Sequence, residues 1–233
     1  MQTNPFLHHY GLNTAGTDYV VGDIHGYFSH VHRALEALGF DPSRDRLFCC
    51  GDLLDRGPES DAVHEWLAHP WVHSVRGNHD DYVVRFRTVT TDNWIQNGGL
   101  WFQGLSRYEQ QDYADLLSTL PLAIEVETET GLVGIVHADP IVRDWHALPT
   151  LFTSRRDREG LMWSRKRFDS YDDRIVENIA CVCVGHCPVI DPVLLGNVWH
   201  LDTAGWSEEG YFTVMRLEDL ARRAVMSCTQ AGG

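Results

Sequence analysis

The stretch Gly51-Asp-Leu-Leu-Asp-Arg-Gly57 lies between Arg46-Leu-Phe-Cys-Cys50, a short apolar run of strand type, and Pro58-Glu59-Ser60, which reads as the opening of a helix. It is therefore expected to be a strand-to-helix loop, the place where α/β proteins collect their active-site side chains. Asp52 and Asp55 would stand at one sheet edge with Arg56 beside them. Such a mixture of like and unlike charge is costly to assemble unless a metal or a phosphate completes it. The same letters also suit a solvated turn, so this loop alone does not decide the matter.

Two more loops repeat the construction. Asp18-Tyr-Val-Val21 leads into Gly22-Asp23-Ile24-His25-Gly26, and Val72-His-Ser-Val75 leads into Arg76-Gly77-Asn78-His79-Asp80. Further on, Gly134-Ile-Val136 runs into His137-Ala-Asp139, and Val182-Cys-Val184 into Gly185-His186. Strand ends carrying Asp, His, Asp, Asn, His and His mix hard oxygen donors with imidazoles, a set that suits manganese, iron, zinc or a related divalent ion. They offer more ligands than one tetrahedral site accepts. Two metals sharing a carboxylate is the inference that follows.

This ordered series of motifs resembles the calcineurin-like metallophosphoesterases, and within them the phosphoprotein phosphatase branch, most of all the small bacterial and phage serine/threonine protein phosphatases of the lambda type. Asn97-Gly98-Gly99 with Trp101-Phe102, Trp163-Ser164-Arg165 and Leu201-Asp202-Thr203 support the narrower likeness, which spans about Tyr19 to Leu217. The resemblance implies a four-layer α/β/β/α sandwich of two mixed sheets. It implies that Asp23 and His25 hold one metal, that Asp52 bridges, and that Asn78, His137 and His186 hold the other. Manganese is the first expectation, with iron, zinc, nickel or cobalt as alternatives. A water shared by the ions would attack phosphorus directly, and His79, oriented by Asp55, would protonate the leaving oxygen. Arg56, Arg165 and, less directly, Arg76 would bind the phosphoryl oxygens. Asp80 stands where the nearest relatives carry glutamate, and Asp202-Thr-Ala-Gly205 has its small residues in another order, which leaves the substrate open. Two alternatives to a protein phosphatase follow: a bis(5'-nucleosyl)-tetraphosphate hydrolase of the same superfamily, and an inactive scaffold that keeps the fold to bind a partner.

At 233 residues the chain can bury a full core as one domain, and 43% hydrophobic with 22% charged residues is ordinary for a globular α/β protein. A net charge of -14 argues against nucleic acid or an anionic membrane as partner. The charge is uneven, with seven basic residues against three acidic between Ile141 and Phe168. An acidic chain with one basic segment suits an anionic substrate, which the resemblance implies is a phosphorylated protein or a small phosphoester. No long apolar run and no leader pattern is present, so a cytoplasmic location is expected. The six cysteines lack paired zinc spacing and read as reduced thiols, with Cys187 set beside His186.

Along the chain, residues 1–17 read as an arm or loose first strand. Helices are expected around Val31 to Leu38, Val63 to Leu67, Tyr82 to Phe86 and Asp112 to Leu120, giving successive β-α units on a parallel or mixed sheet. Ala123 to Val126 and Leu132 to Val136 read as a hairpin. Residues 139–169 are expected to be a long substrate-facing loop, 172–179 a short helix, and Cys181–Val184, Val198–Leu201 and Tyr211–Leu217 strands. The aromatics from Trp94 to Phe102 suit either a substrate wall or packing under a loop.

Overall fold

The structure is a computed structural model describing residues 4–231. The first half alternates strand and helix: β1 (Leu7–Tyr10), β2 (Asp18–Val21), α1 (Phe28–Ala37), β3 (Arg46–Cys49), α2 (Val63–Leu67), β4 (Val72–Ser74) and α3 (Asn78–Val84). Helices α4 (Thr91–Trp94), α5 (Leu100–Gln103) and α6 (Arg107–Ser118) follow, then the hairpin β5 (Ala123–Glu127) and β6 (Leu132–Val136). Three short helices, α7 (Leu148–Leu151), α8 (Arg155–Trp163) and α9 (Lys166–Asp169), precede β7 (Cys181–Val184), β8 (Val193–Leu195), β9 (Val198–His200), β10 (Val214–Arg216) and α10 (Leu217–Ala231).

The strands make two mixed sheets, ordered β10-β2-β3-β4 and β1-β5-β6-β7-β9-β8. Strand alternation decides the layers. On β3, Leu47 and Cys49 face the helices α1, α2, α3 and α6, whereas Phe48 and then Cys50 face the second sheet. The second sheet turns Ile124, Val126, Val133, Ile135, Cys181 and Cys183 inward, where Leu217, Leu220, Ala221 and Ala224 of α10 join them. Its other face packs Ala123, Val136, Val182, Val184 and Val198 against Trp145, Leu148, Leu161 and Met162. The four-layer expectation holds. Each buried valine, leucine or isoleucine among them contributes about 1.5–3 kcal/mol of transfer free energy, so three such clusters fix the sheets against one another.

The arm is in part β1, which pairs in parallel with β5 at the sheet edge; its first three residues lie outside the described residues. Three expectations need correction. Residues 139–169 are not a loop: Ser154 caps α8 by accepting from Asp157 N, and Leu161 and Met162 anchor it, but the helices are short and solvent-facing charge dilutes their periodicity. Residues 172–179 form no helix, because Asp172 accepts from Arg143 and Arg174 and Asn178 takes a left-handed φ of 61°. The last strand covers only Val214–Arg216, and Leu217 already opens α10. Among the described residues, no helix is long and apolar enough to cross a membrane.

One buried group makes the fold sensitive to acid. His200 on β9 lies against Phe168 at 5.2 Å between ring centroids, and neither ring nitrogen has a hydrogen-bond partner among the described residues. Burial, reinforced by the charge of Arg167, lowers its pKa from 6.5 to about 4. Between those values the unfolded chain binds the extra proton, so this contribution to stability is complete above 6.5 and is lost as pH falls through about 4. His200→Phe is expected to remove on the order of 3 kcal/mol of that acid-induced loss. Urea unfolding at neutral and at mildly acid pH measures it, and an unchanged difference in the variant would contradict the assignment.

Candidate metal centre

Strands β2, β3 and β4 are parallel, as are β6 and β7, so the five motif loops leave the carboxyl ends of their strands along adjoining edges. The backbone there is strained. His25, Asp52, Asp55, Arg56 and His186 have φ of 48°, 48°, 71°, 66° and 67°, the left-handed region, at a cost of order 1–3 kcal/mol each. Two glycines are required by close approach. A Cβ on Gly77 would lie 2.1 Å from Asp52 Oδ1, and one on Gly185 would lie 2.0 Å from Asp23 Oδ1.

All six expected ligands are buried or half-buried in one cluster. His137 Nε2 is 2.8 Å from Asn78 Oδ1 and 3.4 Å from Asp52 Oδ1. His25 Nε2 is 3.7 Å from Asp52 Oδ2 and 3.9 Å from Asp23 Oδ2. The main chain supplies partners for the rear nitrogens, with His25 Nδ1 2.8 Å from Leu54 O and His137 Nδ1 2.8 Å from Cys50 O. That leaves each Nε2 facing inward.

The residues fit a pair of cations. The buried Nε2 atoms of His25 and His186 have no hydrogen-bond partner among the described residues. Donor atoms of Asp52, His137 and His186 lie within 4.8 Å of one another, as do those of His25, Asp52 and His79, the last of these not an expected ligand, while Asp23 approaches His25 Nε2 at 3.9 Å. Asp52 is common to both. The electrostatics agree: burial, with Asp202 and then Asp52 nearby, pushes the Asp23 carboxyl well above its usual range, a strain that a cation would relieve. Burial opposes charge on Asp52 too, yet His137, His79 and His25 together hold it well below that range. Burial and neighbouring His137 lower His186 to about 3, so its ring is a neutral donor.

His79 is equally well held. His79 Nδ1 is 2.7 Å from Asp55 Oδ2, and the same carboxylate accepts from Trp94 Nε1 at 2.7 Å and Trp101 Nε1 at 2.8 Å. The sequence suits these tryptophans to a wall or to packing alike; they pack, and they also fix Asp55. Indole spacing gave no sign of that second duty. Arg56 is exposed, with a nitrogen 3.5 Å from His79 Nε2. Arg165 immediately precedes α9 and lines an open cleft of about 1410 Å³ with Trp163, Ser164 and Asp139. Asp139 ties that segment to the end of β6, accepting from Ser164 Oγ at 3.2 Å and Arg167 N at 3.3 Å. Arg76 is buried and faces Asp81 at 3.9 Å.

The two departures noted in sequence are also located. Asp80 is buried and accepts from Leu53 N at 3.0 Å and Gly77 N at 2.8 Å, so it joins two motif loops rather than facing a substrate. Asp202 is buried beside Asp23, with Oδ1 accepting from Ala204 N at 3.0 Å. Cys187 is buried, and burial pushes its thiol up to about 11, away from thiolate chemistry at neutral pH.

Residues 19–211 match the family described as calcineurin-like phosphoesterase. Serine/threonine-protein phosphatase 1 of Salmonella typhimurium is 33% identical over 205 residues, 86% of this chain and 91% of that protein. The symmetrical bis(5'-nucleosyl)-tetraphosphatase of Dechloromonas aromatica is 30% identical over 197 residues, 82% of this chain but 58% of that protein. Among solved structures, a protein serine/threonine phosphatase from Saccharomyces cerevisiae aligns with a TM-score of 0.63 at 19% identity, covering 88% of this chain and 74% of that one, a likeness of fold.

Proposed function

The chain belongs to the calcineurin-like phosphoesterase family, and from that premise we propose that it is a metal-dependent phosphomonoesterase of the serine/threonine protein phosphatase type. The observation that carries this reading is Asp52, the carboxylate common to both donor groups, in contact with a histidine that a buried aspartate orients. Asp23, His25 and Asp52 would hold one divalent ion, and Asp52, Asn78, His137 and His186 the other, with manganese the metal we propose. When bound, the two ions supply Lewis acidity that polarises phosphoryl oxygens and brings water towards hydroxide near neutral pH.

The chain's own side chains account for the rest. Asp55 accepts a hydrogen bond from His79 Nδ1 and fixes the ring, so Nε2 is the atom left to deliver a proton to the leaving oxygen. Arg56 and Arg165 offer planar guanidinium donors to the phosphoryl oxygens, with Arg76 a third candidate. Arg165→Ala is expected to lower kcat/KM by roughly 30- to 1000-fold, the worth of a charge-assisted pair of hydrogen bonds met in ground and transition states. Steady-state assays on a phosphopeptide check this, and a loss under about threefold would remove Arg165 from the site.

Substrate class is tested by comparing kcat/KM for phosphoserine and phosphothreonine peptides, p-nitrophenyl phosphate and diadenosine tetraphosphate, each with manganese. Faster peptide turnover is expected. Much faster cleavage of the dinucleotide would assign the tetraphosphatase activity instead, and no cleavage of any substrate would favour a scaffold.

A further inference from the structure

The loop from Leu201 to Thr213, between β9 and β10, contributes none of the proposed ligands, yet it is tightly built. Thr203 Oγ1 is 2.5 Å from Tyr211 O and 2.7 Å from Thr213 Oγ1, and Ser207 N donates to Ala204 O at 2.8 Å. Ala204 takes a left-handed φ of 53°, and a Cβ on Gly205 would run into the Phe212 ring at 2.6 Å. This architecture sets Trp206 against the site. Its indole Nε1 lies 3.3 Å from Asp202 Oδ1, and the ring meets the His25 imidazole edge-on at 5.4 Å. The Arg56 guanidinium stacks over the same indole, 3.9 Å from the ring centroid.

We infer that Trp206 is a positioning residue for the phosphate-binding Arg56: the indole holds one face of the guanidinium so that its in-plane N–H donors point into the site. The physical case is specific. An arginine side chain loses about 2 kcal/mol of rotamer freedom when fixed, and Arg56 stands exposed on a left-handed residue with His79 Nε2 as its other polar neighbour. A carboxylate partner would occupy the donors that a phosphate needs. Stacking instead uses the π face and leaves the N–H fork free for a tetrahedral anion. Asp202 in turn fixes the ring through its Nε1.

The inference rests on the reading of Arg56 as a phosphate ligand, and the test separates the two. Wild type, Trp206→Phe, Trp206→Leu, Trp206→Ala, Arg56→Ala and the Arg56→Ala/Trp206→Ala double variant are loaded with manganese and assayed with p-nitrophenyl phosphate, with inorganic phosphate as competitor. Trp206→Ala is expected to raise KM and the phosphate inhibition constant by about 5- to 30-fold, the worth of a partly desolvated cation–π contact, with kcat changed little. Trp206→Phe should recover most of this and Trp206→Leu little, because leucine restores bulk without a π face. Added to Arg56→Ala, the alanine change should have almost no further effect. The fluorescence change of manganese-loaded wild type on adding phosphate should shrink in Trp206→Phe. Equal behaviour of the phenylalanine and leucine variants, or additivity in the double variant, would overturn the inference. An Arg56→Ala protein with unaltered phosphate affinity would instead remove Arg56 from the phosphate site.

Discussion

Replacing His79 with asparagine is expected to lower kcat by roughly 10²–10⁴ for a phosphoserine peptide, the usual contribution of general acid catalysis. The substitution is chosen for its geometry. An asparagine amide can still donate to Asp55 in place of Nδ1, which lies 2.7 Å from Oδ2, so the three-donor cradle with Trp94 and Trp101 survives while the Nε2 proton is lost. With p-nitrophenyl phosphate the loss should be much smaller, because that leaving oxygen needs little protonation. Metal content should be unchanged. Equal losses on the two substrates would show damage to the centre rather than removal of an acid.

Asp52→Asn should be more severe, at least about 10³-fold in kcat/KM, since a metal centre supplies several kcal/mol of charge stabilisation. Asparagine keeps an oxygen for the backbone amide of His79, which donates to Asp52 Oδ1 at 2.8 Å, and the backbone carbonyl still accepts from His25 N at 2.8 Å. The loops should therefore hold their shape, and circular dichroism should match wild type. What disappears is the charge common to both donor groups, so bound metal measured by atomic emission should fall below two ions per chain. Full activity with two ions retained would exclude Asp52 as the shared ligand.

Much of this site was legible because glycine-bounded clusters at strand ends are local signals. Gly22, Gly77 and Gly185 stand where no Cβ fits, Gly51 takes a left-handed φ of 95°, and each sits beside a candidate ligand. The layers were legible for a similar reason, since runs such as Arg46 to Cys50 place alternate residues on two buried faces. What failed was long-range or diluted. The helices between 145 and 169 carry charge on their solvent faces, which hides their period. Helix α10 had a readable stripe in Leu217, Leu220, Ala221 and Ala224, but the β-rich run before it drew Leu217 into a strand. The duties of Trp94, Trp101 and Trp206 depend on partners 39, 46 and 150 positions away, and nothing in their spacing encodes such contacts.

The central claim, a binuclear centre bridged by Asp52, is tested most directly by anomalous diffraction from manganese-soaked crystals of the whole chain. Two anomalous peaks are expected, both within roughly 2.0–2.5 Å of Asp52 carboxylate oxygens, one shared with Asp23 and His25 and the other with Asn78, His137 and His186. A single peak at full occupancy, or two peaks that both lie beyond bonding distance of Asp52, would contradict it.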